Sequence, residues 1–279
     1  MSDQPIDLTL LARHETARLL AGCLHVATHS EPLAGGALLA SERGTWCNFA
    51  CGIALDGPLT DAQLDRLETF YIERGQEPRI ETSPYIHADA LAQLAQRAWV
   101  VRRFETVLYR PLRERDTFAP IVTSPTSLRV QVVQPGDDAL LRTWARVQCE
   151  GFTPQGKQVR DEDVALALRT IDHHHSFAFL ATIDGTPAAA GACEVRGTSD
   201  MPIAALFGHS TAQQFRRCGI QQAMIAARLA FARSRGAVVA TIGGSPGAGT
   251  ERNVRRMGFE VAYTMTVLVK PGDGLASAG

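Results

Sequence analysis

Long apolar runs, a sizeable net charge and paired cysteine motifs are all missing from this chain of 279 residues. No apolar stretch approaches the roughly 20 residues that a helix needs to cross a bilayer. The opening Met1-Ser-Asp-Gln-Pro-Ile-Asp7 has neither the basic nor the apolar region of a secretory signal. The expectation is a cytoplasmic protein without a membrane partner. Formal net charge is −1 and no basic run or tail occurs, which argues against nucleic acid as a partner. Six cysteines (Cys23, Cys47, Cys51, Cys149, Cys193 and Cys218) are scattered and expected as free thiols. None forms a Cys-x-x-Cys pair. His173-His-His175 cannot converge on one ion and lacks an acidic or thiol partner at ligand spacing, so no metal is expected.

What is present is ordinary globular composition, 45% apolar and 20% charged, in a length suited to two modest domains or one large one. Apolar spacing predicts a helix over 5–28, an extended segment over 45–55 and a helix opened by the capping box Thr60-Asp-Ala-Gln63. A short strand near 79–82, a helix near 88–97 and an extended 99–109 follow. Residues 116–127, with Pro120, Pro125 and several Ser and Thr, read as a linker. Beyond it come a strand over 128–133 and helices over 137–149 and 161–171. Two strands then meet at Asp184-Gly185, a hairpin turn. A strand over 202–211, a long helix over 219–235, a buried strand over 238–242, a short helix over 249–257 and a final strand pair over 259–269 complete the chain.

The stretch richest in chemistry is Thr211-Ala-Gln-Gln-Phe-Arg-Arg-Cys-Gly-Ile-Gln-Gln-Ala223. A strand, a turn with two arginines and a glycine, and then a helix start make a phosphate site. Free backbone N–H groups and the positive helix end face the anion, and Arg216 and Arg217 add charge. A solvated turn is the alternative. Gly243-Gly-Ser-Pro-Gly-Ala-Gly-Thr250 lacks the lysine of a P-loop and the spacing of a dinucleotide fingerprint, so a flexible turn suffices for it.

The Arg-Arg-Cys-Gly-Ile-Gln turn, followed by Pro246-Gly247, Arg252-Asn253, Arg256, Gly258-Phe259 and Tyr263-Thr264, resembles the GNAT superfamily of acyl-CoA-dependent N-acyltransferases, over roughly residues 128–270. The chain departs from that pattern at Gln213, Cys218, Gln221 and Thr250. The resemblance implies an α/β fold, a mainly antiparallel sheet flanked by helices, and acetyl-CoA as acyl donor. It further implies contacts to pantetheine from His209, Ser210 and Thr211, amides from Arg216, Arg217, Cys218, Gly219, Ile220 and Gln221 on the pyrophosphate, and Asn253 beside the pantetheine arm. Direct transfer to an amine of unspecified identity is the implied reaction. The tyrosine that such enzymes place as acid is replaced by Val254, which leaves Tyr263 as a substitute if its strand turns it inward. Base candidates are Glu194 and His209, the latter because imidazole titrates near neutrality; a solvent-facing Glu194 and a half-core His209 are the structural alternatives. The missing acid supports a second reading, a non-catalytic acyl-CoA-binding or regulatory protein.

The chain also resembles itself. Residues 99–111 and 259–271 share Val101/Val261, Thr106/Thr266, Val107/Val267, Leu108/Leu268 and Pro111/Pro271 at constant offset. The implied organisation is tandem: a degenerate copy over 1–115, a linker over 116–127 and a catalytic domain over 128–279. In the first copy Asp56-Gly-Pro-Leu-Thr60 stands where the second carries its arginines. Oligomeric state is open, and the acceptor is expected near residues 152–156 and 161–175, where Asp161, Glu162 and Asp163 offer charge for a cationic amine.

Overall fold

A computed structural model describes residues 5–154, 156–197 and 201–277; Gln155 of the expected acceptor segment lies outside them. The chain forms two compact units. One comprises Asp7–Val107 with the segment from Ala262 onward; the other centres on Leu108–Val261.

The elements are α1 (Leu8–Val26), β1 (His29–Leu33), β2 (Gly36–Ala40), β3 (Phe49–Cys51), α2 (Asp61–Ile72), β4 (Arg79–Thr82), α3 (Ala88–Gln96) and β5 (Val100–Pro111), followed by β6 (Leu128–Val132), α4 (Asp138–Phe152), α5 (Asp161–Arg169), β7 (Ser176–Ile183), β8 (Thr186–Gly197), β9 (Pro202–Thr211), α6 (Ile220–Ser234), β10 (Val239–Gly244), α7 (Gly249–Arg256) and β11 (Glu260–Val269). The expected final strand pair is thus one strand. Its residues Thr266–Val269 lie antiparallel to Arg79–Thr82 within the unit of residues 7–107.

In that unit β1, β2 and β3 are antiparallel neighbours, and β3 and β4 run parallel, with Ala50 opposite Ile80. A parallel pair needs a crossover, which α2 supplies. Thr60 Oγ1 accepts from the Gln63 N–H at 3.2 Å and Gln63 Oε1 accepts from the Thr60 N–H at 2.8 Å, so this helix start satisfies two of its own donors. Leu38, Leu64, Leu67, Phe70, Tyr71 and Ile80 form the core beneath it.

The unit of residues 108–261 also combines antiparallel strands with one parallel pair. Strands β6 to β9 are antiparallel, with a two-residue turn at Asp184 (φ +49°) and Gly185 (φ +75°) joining β7 to β8. β9 and β10 are parallel, crossed by α6. Leu206, Ile220, Met224, Leu229, Ile242, Val254 and Phe259 pack one face of the sheet, and Trp144, Val164, Leu180 and Ala190 pack the other.

Residues 113–124 are docked along α6 rather than spaced away from it. Arg233 Nη1 donates to the carbonyls of Arg113, Glu114 and Asp116, and Phe118 lies between the guanidiniums of Arg110 and Arg233. At the other end of the helix, buried Gln222 accepts the N–H groups of Ile121 and Val122 at 2.9 and 3.0 Å. Backbone groups that a free linker would leave to water, three carbonyls and the N–H groups of Ile121 and Val122, here find fixed partners.

Candidate functional site

The site begins where the parallel pair separates. β9 and β10 are in register from Ile203/Val239 to Leu206/Ile242, after which β9 continues to Thr211 without that partner. On its other side, β8 holds Ala190 opposite Ser210 and Ala192 opposite Phe207, so Gly208 and His209 together face Gly191. This is a β-bulge, and Gly208 sits at φ +61°, a value that a side chain resists. A Cβ there would also lie 2.0 Å from Gln148 Nε2, so any side chain would have to displace that amide.

After β9 the chain makes a single 3₁₀ turn over Gln213–Phe215 and enters α6. Arg217 at φ +64° and Gly219 at φ +72° turn the backbone so that α6 starts with no side-chain cap. The N–H groups of Arg217, Cys218, Gly219, Ile220 and Gln221 have no partner among the described residues. An uncapped helix start with successive free amides is an anion-binding concavity. Arg217 in the left-handed region is a strained conformation for a residue with a side chain.

A cavity of about 470 Å³ opens on these groups. His209, Ser210, Thr211, Arg216, Arg217, Gly219, Ile220, Gln221 and Asn253 line it, together with Val122, Gly151, Phe215 and Gln222. The sequence-selected cofactor positions therefore converge, except Cys218, whose thiol contacts the Arg216 carbonyl at 3.6 Å. Gln221, where the GNAT pattern has a small residue, turns its amide toward α7: Nε2 donates to Thr250 Oγ1 at 3.2 Å and Oε1 accepts from Asn253 Nδ2. The large side chain is thus folded away from the free amides.

The catalytic candidates fare differently. His209 lines the cavity, with Nε2 3.1 Å from Thr211 Oγ1 and a buried, unpartnered Nδ1. Burial, and secondarily the Arg228 guanidinium, hold its pKa down to about 3, so the ring is neutral near pH 7 and far from the range expected of a base. Glu194 is neither solvent-facing nor in the cavity: it is 2% exposed, opposite Ala205, and accepts from Arg196 Nε at 2.9 Å. Tyr263 is 6% exposed in a cluster with Ala12, Val107 and Tyr85 of the other unit, and burial pushes its phenol well above the usual range. Its expected role as a substitute acid required the strand to turn it inward to the site, whereas its side chain packs in that core. Val254 is fully buried core.

Sequence reasoning missed Gly151, Gln222, Arg228 and the segment 121–124. Gly151 is required because a Cβ would meet Ser210 Oγ at 2.1 Å; that hydroxyl donates to the Val147 carbonyl. Gly219 likewise faces Ser124 Oγ and the Thr123 carbonyl, each 3.1 Å from where its Cβ would be. Arg228, an arginine inside the apolar run Met224-Ile-Ala-Ala-Arg-Leu229, was a visible anomaly.

No group of metal-ligating side chains occurs among the described residues, and none of their helices is long and apolar enough to cross a membrane. No family model and no curated protein matches this sequence. Solved structures do match in shape. A GCN5-related N-acetyltransferase from Kribbella flavida aligns over 94% of this chain and 96% of its own, with TM-score 0.66 and 17% identity. A GNAT-family acetyltransferase structure from Novosphingobium aromaticivorans aligns over 93% and 98%, with TM-score 0.53 and 16% identity. The fold is that of the GCN5-related N-acetyltransferases. A structure from Staphylococcus epidermidis described as functionally unknown shares it at TM-score 0.56 and 10% identity, over 88% of this chain and 94% of its own.

Proposed function

We propose that the unit of residues 108–261 is an acetyl-CoA-dependent N-acyltransferase that passes an acyl group directly to an amine. One observation carries the reading: five consecutive free amides at an uncapped helix start, flanked by Arg216 and Arg217, open on a cavity below a separated parallel strand pair. A pyrophosphate fits the amides and guanidiniums, and the exposed edge of β9 beyond Leu206 offers backbone partners to the amide groups of pantetheine. Acetyl-CoA would supply an activated thioester whose thiolate departs without a side-chain acid. The protein aligns it and excludes water. The amine arrives neutral from solvent, because neutral His209 is a poor proton acceptor and no carboxylate lines the cavity.

The matching arrangement of β3, α2 and β4 in the other unit supports a tandem origin, with residues 1–115 derived from a copy that has lost its cofactor site. A thiol-release assay over a panel of small amines tests the reading. Amine-dependent release supports transfer. Saturable acetyl-CoA binding without release for any amine favours the second reading, a regulatory acyl-CoA binder, to which the buried Val254 and Tyr263 lend weight.

A further inference from the structure

Resting on that functional reading, we infer that Arg228 is the positioning residue of the site: its buried guanidinium fastens α6 to the β9 bulge and is the cation against which the His209 ring is set. Arg228 is 0% exposed, and its Nε donates to the Met224 carbonyl one turn earlier. Nη1 reaches two strands at once, donating to the Ala192 carbonyl at 3.2 Å and the Phe207 carbonyl at 3.4 Å. Those two residues are the register pair at which the bulge begins. Gly191 makes the space, since a Cβ there would stand 3.1 Å from Nη1.

No carboxylate pairs with this cation among the described residues, and Nη2 has no hydrogen-bond partner. A buried unpaired guanidinium is costly, and apolar residues of similar volume would serve packing better. Its position explains the retention: Phe207 is the residue after the last β9–β10 pair, so the guanidinium braces the strand at the point of separation.

The groups around His209 make the electrostatic consequence one-sided. Arg228 faces it from α6, Thr211 from β9, Arg216 and Arg217 share its cavity, and the neutral Asn253 stands on α7. On β8, Gly191 brings no side chain, and Cys193 is the neighbour of Arg228. Burial, reinforced by the Arg228 guanidinium with no anion to offset it, keeps the imidazole uncharged, which makes it a hydrogen-bonding group rather than a proton collector.

The test is an NMR titration of His209 in the full chain, with folding checked by thermal denaturation. In Arg228→Met the midpoint should rise from its depressed position yet stay below 6.5, because burial, the larger cause, remains. A new acid limb should then enter the pH profile of kcat/KM. Arg228→Lys, which keeps the charge but not the two-strand reach, should keep the midpoint low. Should Arg228→Met not fold, Cys193→Asp decides instead, because a carboxylate beside the guanidinium should raise the midpoint in the same direction. A guanidinium that only packed the helix would lower thermal stability and leave the titration unmoved; an unmoved midpoint in either folded neutralised variant overturns the inference. The NMR measurement needs no turnover, so a failure of acetyl-CoA to bind would count against the functional reading alone.

Discussion

Two helix starts in this molecule occupy the same place in a β-α-β crossover between parallel strands, and they do opposite things. α2 begins at Thr60, whose capping box with Gln63 satisfies two of its amides, and the preceding turn carries Asp56 paired with Arg13 at 2.8 Å. α6 begins at Gly219 with no cap, five free amides, and two arginines in the preceding turn. Both helices present the positive end of a dipole. The difference teaches that the crossover provides the field, while the cap decides whether that field is available to a ligand.

The comparison breaks most sharply at the arginines. Arg216→Ala combined with Arg217→Ala should weaken acetyl-CoA binding by about a hundred-fold or more, as expected for the loss of two charge-assisted contacts. Isothermal titration of the double variant checks this, and affinity within a few-fold of wild type would mean the phosphates lie elsewhere. Gly219→Val should come next. It forces a β-branched residue to φ +72° against the 122–124 segment, costing about 1–3 kcal/mol and weakening binding through the distorted amides. Chemical denaturation and titration read the two effects separately.

Thr60→Ala sharpens the contrast from the other side. It should lower stability by about 1 kcal/mol while leaving acetyl-CoA affinity unchanged, because its amides serve the fold and not a ligand. A pH effect tests the site from a third direction. The folded-state pKa of His209 lies below the ordinary 6.5, so the unfolded chain takes up the extra proton. The stability contributed by the neutral ring is full above about pH 6.5 and declines as pH falls toward about 3. Urea unfolding between pH 7 and pH 4 should show a shallower decline in His209→Gln than in wild type.

Much of this was legible in the sequence because it is local. The Thr60–Gln63 cap, the Asp184-Gly185 turn and the bounds of β4 and β9 follow from residues a few positions apart. The uncapped turn at 216–221 was legible for the same reason: glycine, arginines and a helix start are consecutive. The rest depends on register between distant segments. The bulge at Gly208 and His209 arises from how β8 pairs with β9, so the depressed His209 value and the seat of Arg228 could not be read from either strand alone. Tyr263 depended on which face of β11 it occupies, and that face belongs to a core. Residues 116–127 have the composition of a spacer, yet the partner of Ile121 and Val122 is Gln222, about a hundred positions away.

The most direct measurement is calorimetric titration of the wild-type chain with acetyl-CoA, run beside the double arginine variant and Thr60→Ala. Saturable one-site binding in wild type and Thr60→Ala, lost in the arginine variant, is the predicted result. No binding in wild type, or equal binding in all three, would contradict the claim that the uncapped start of α6 holds the diphosphate.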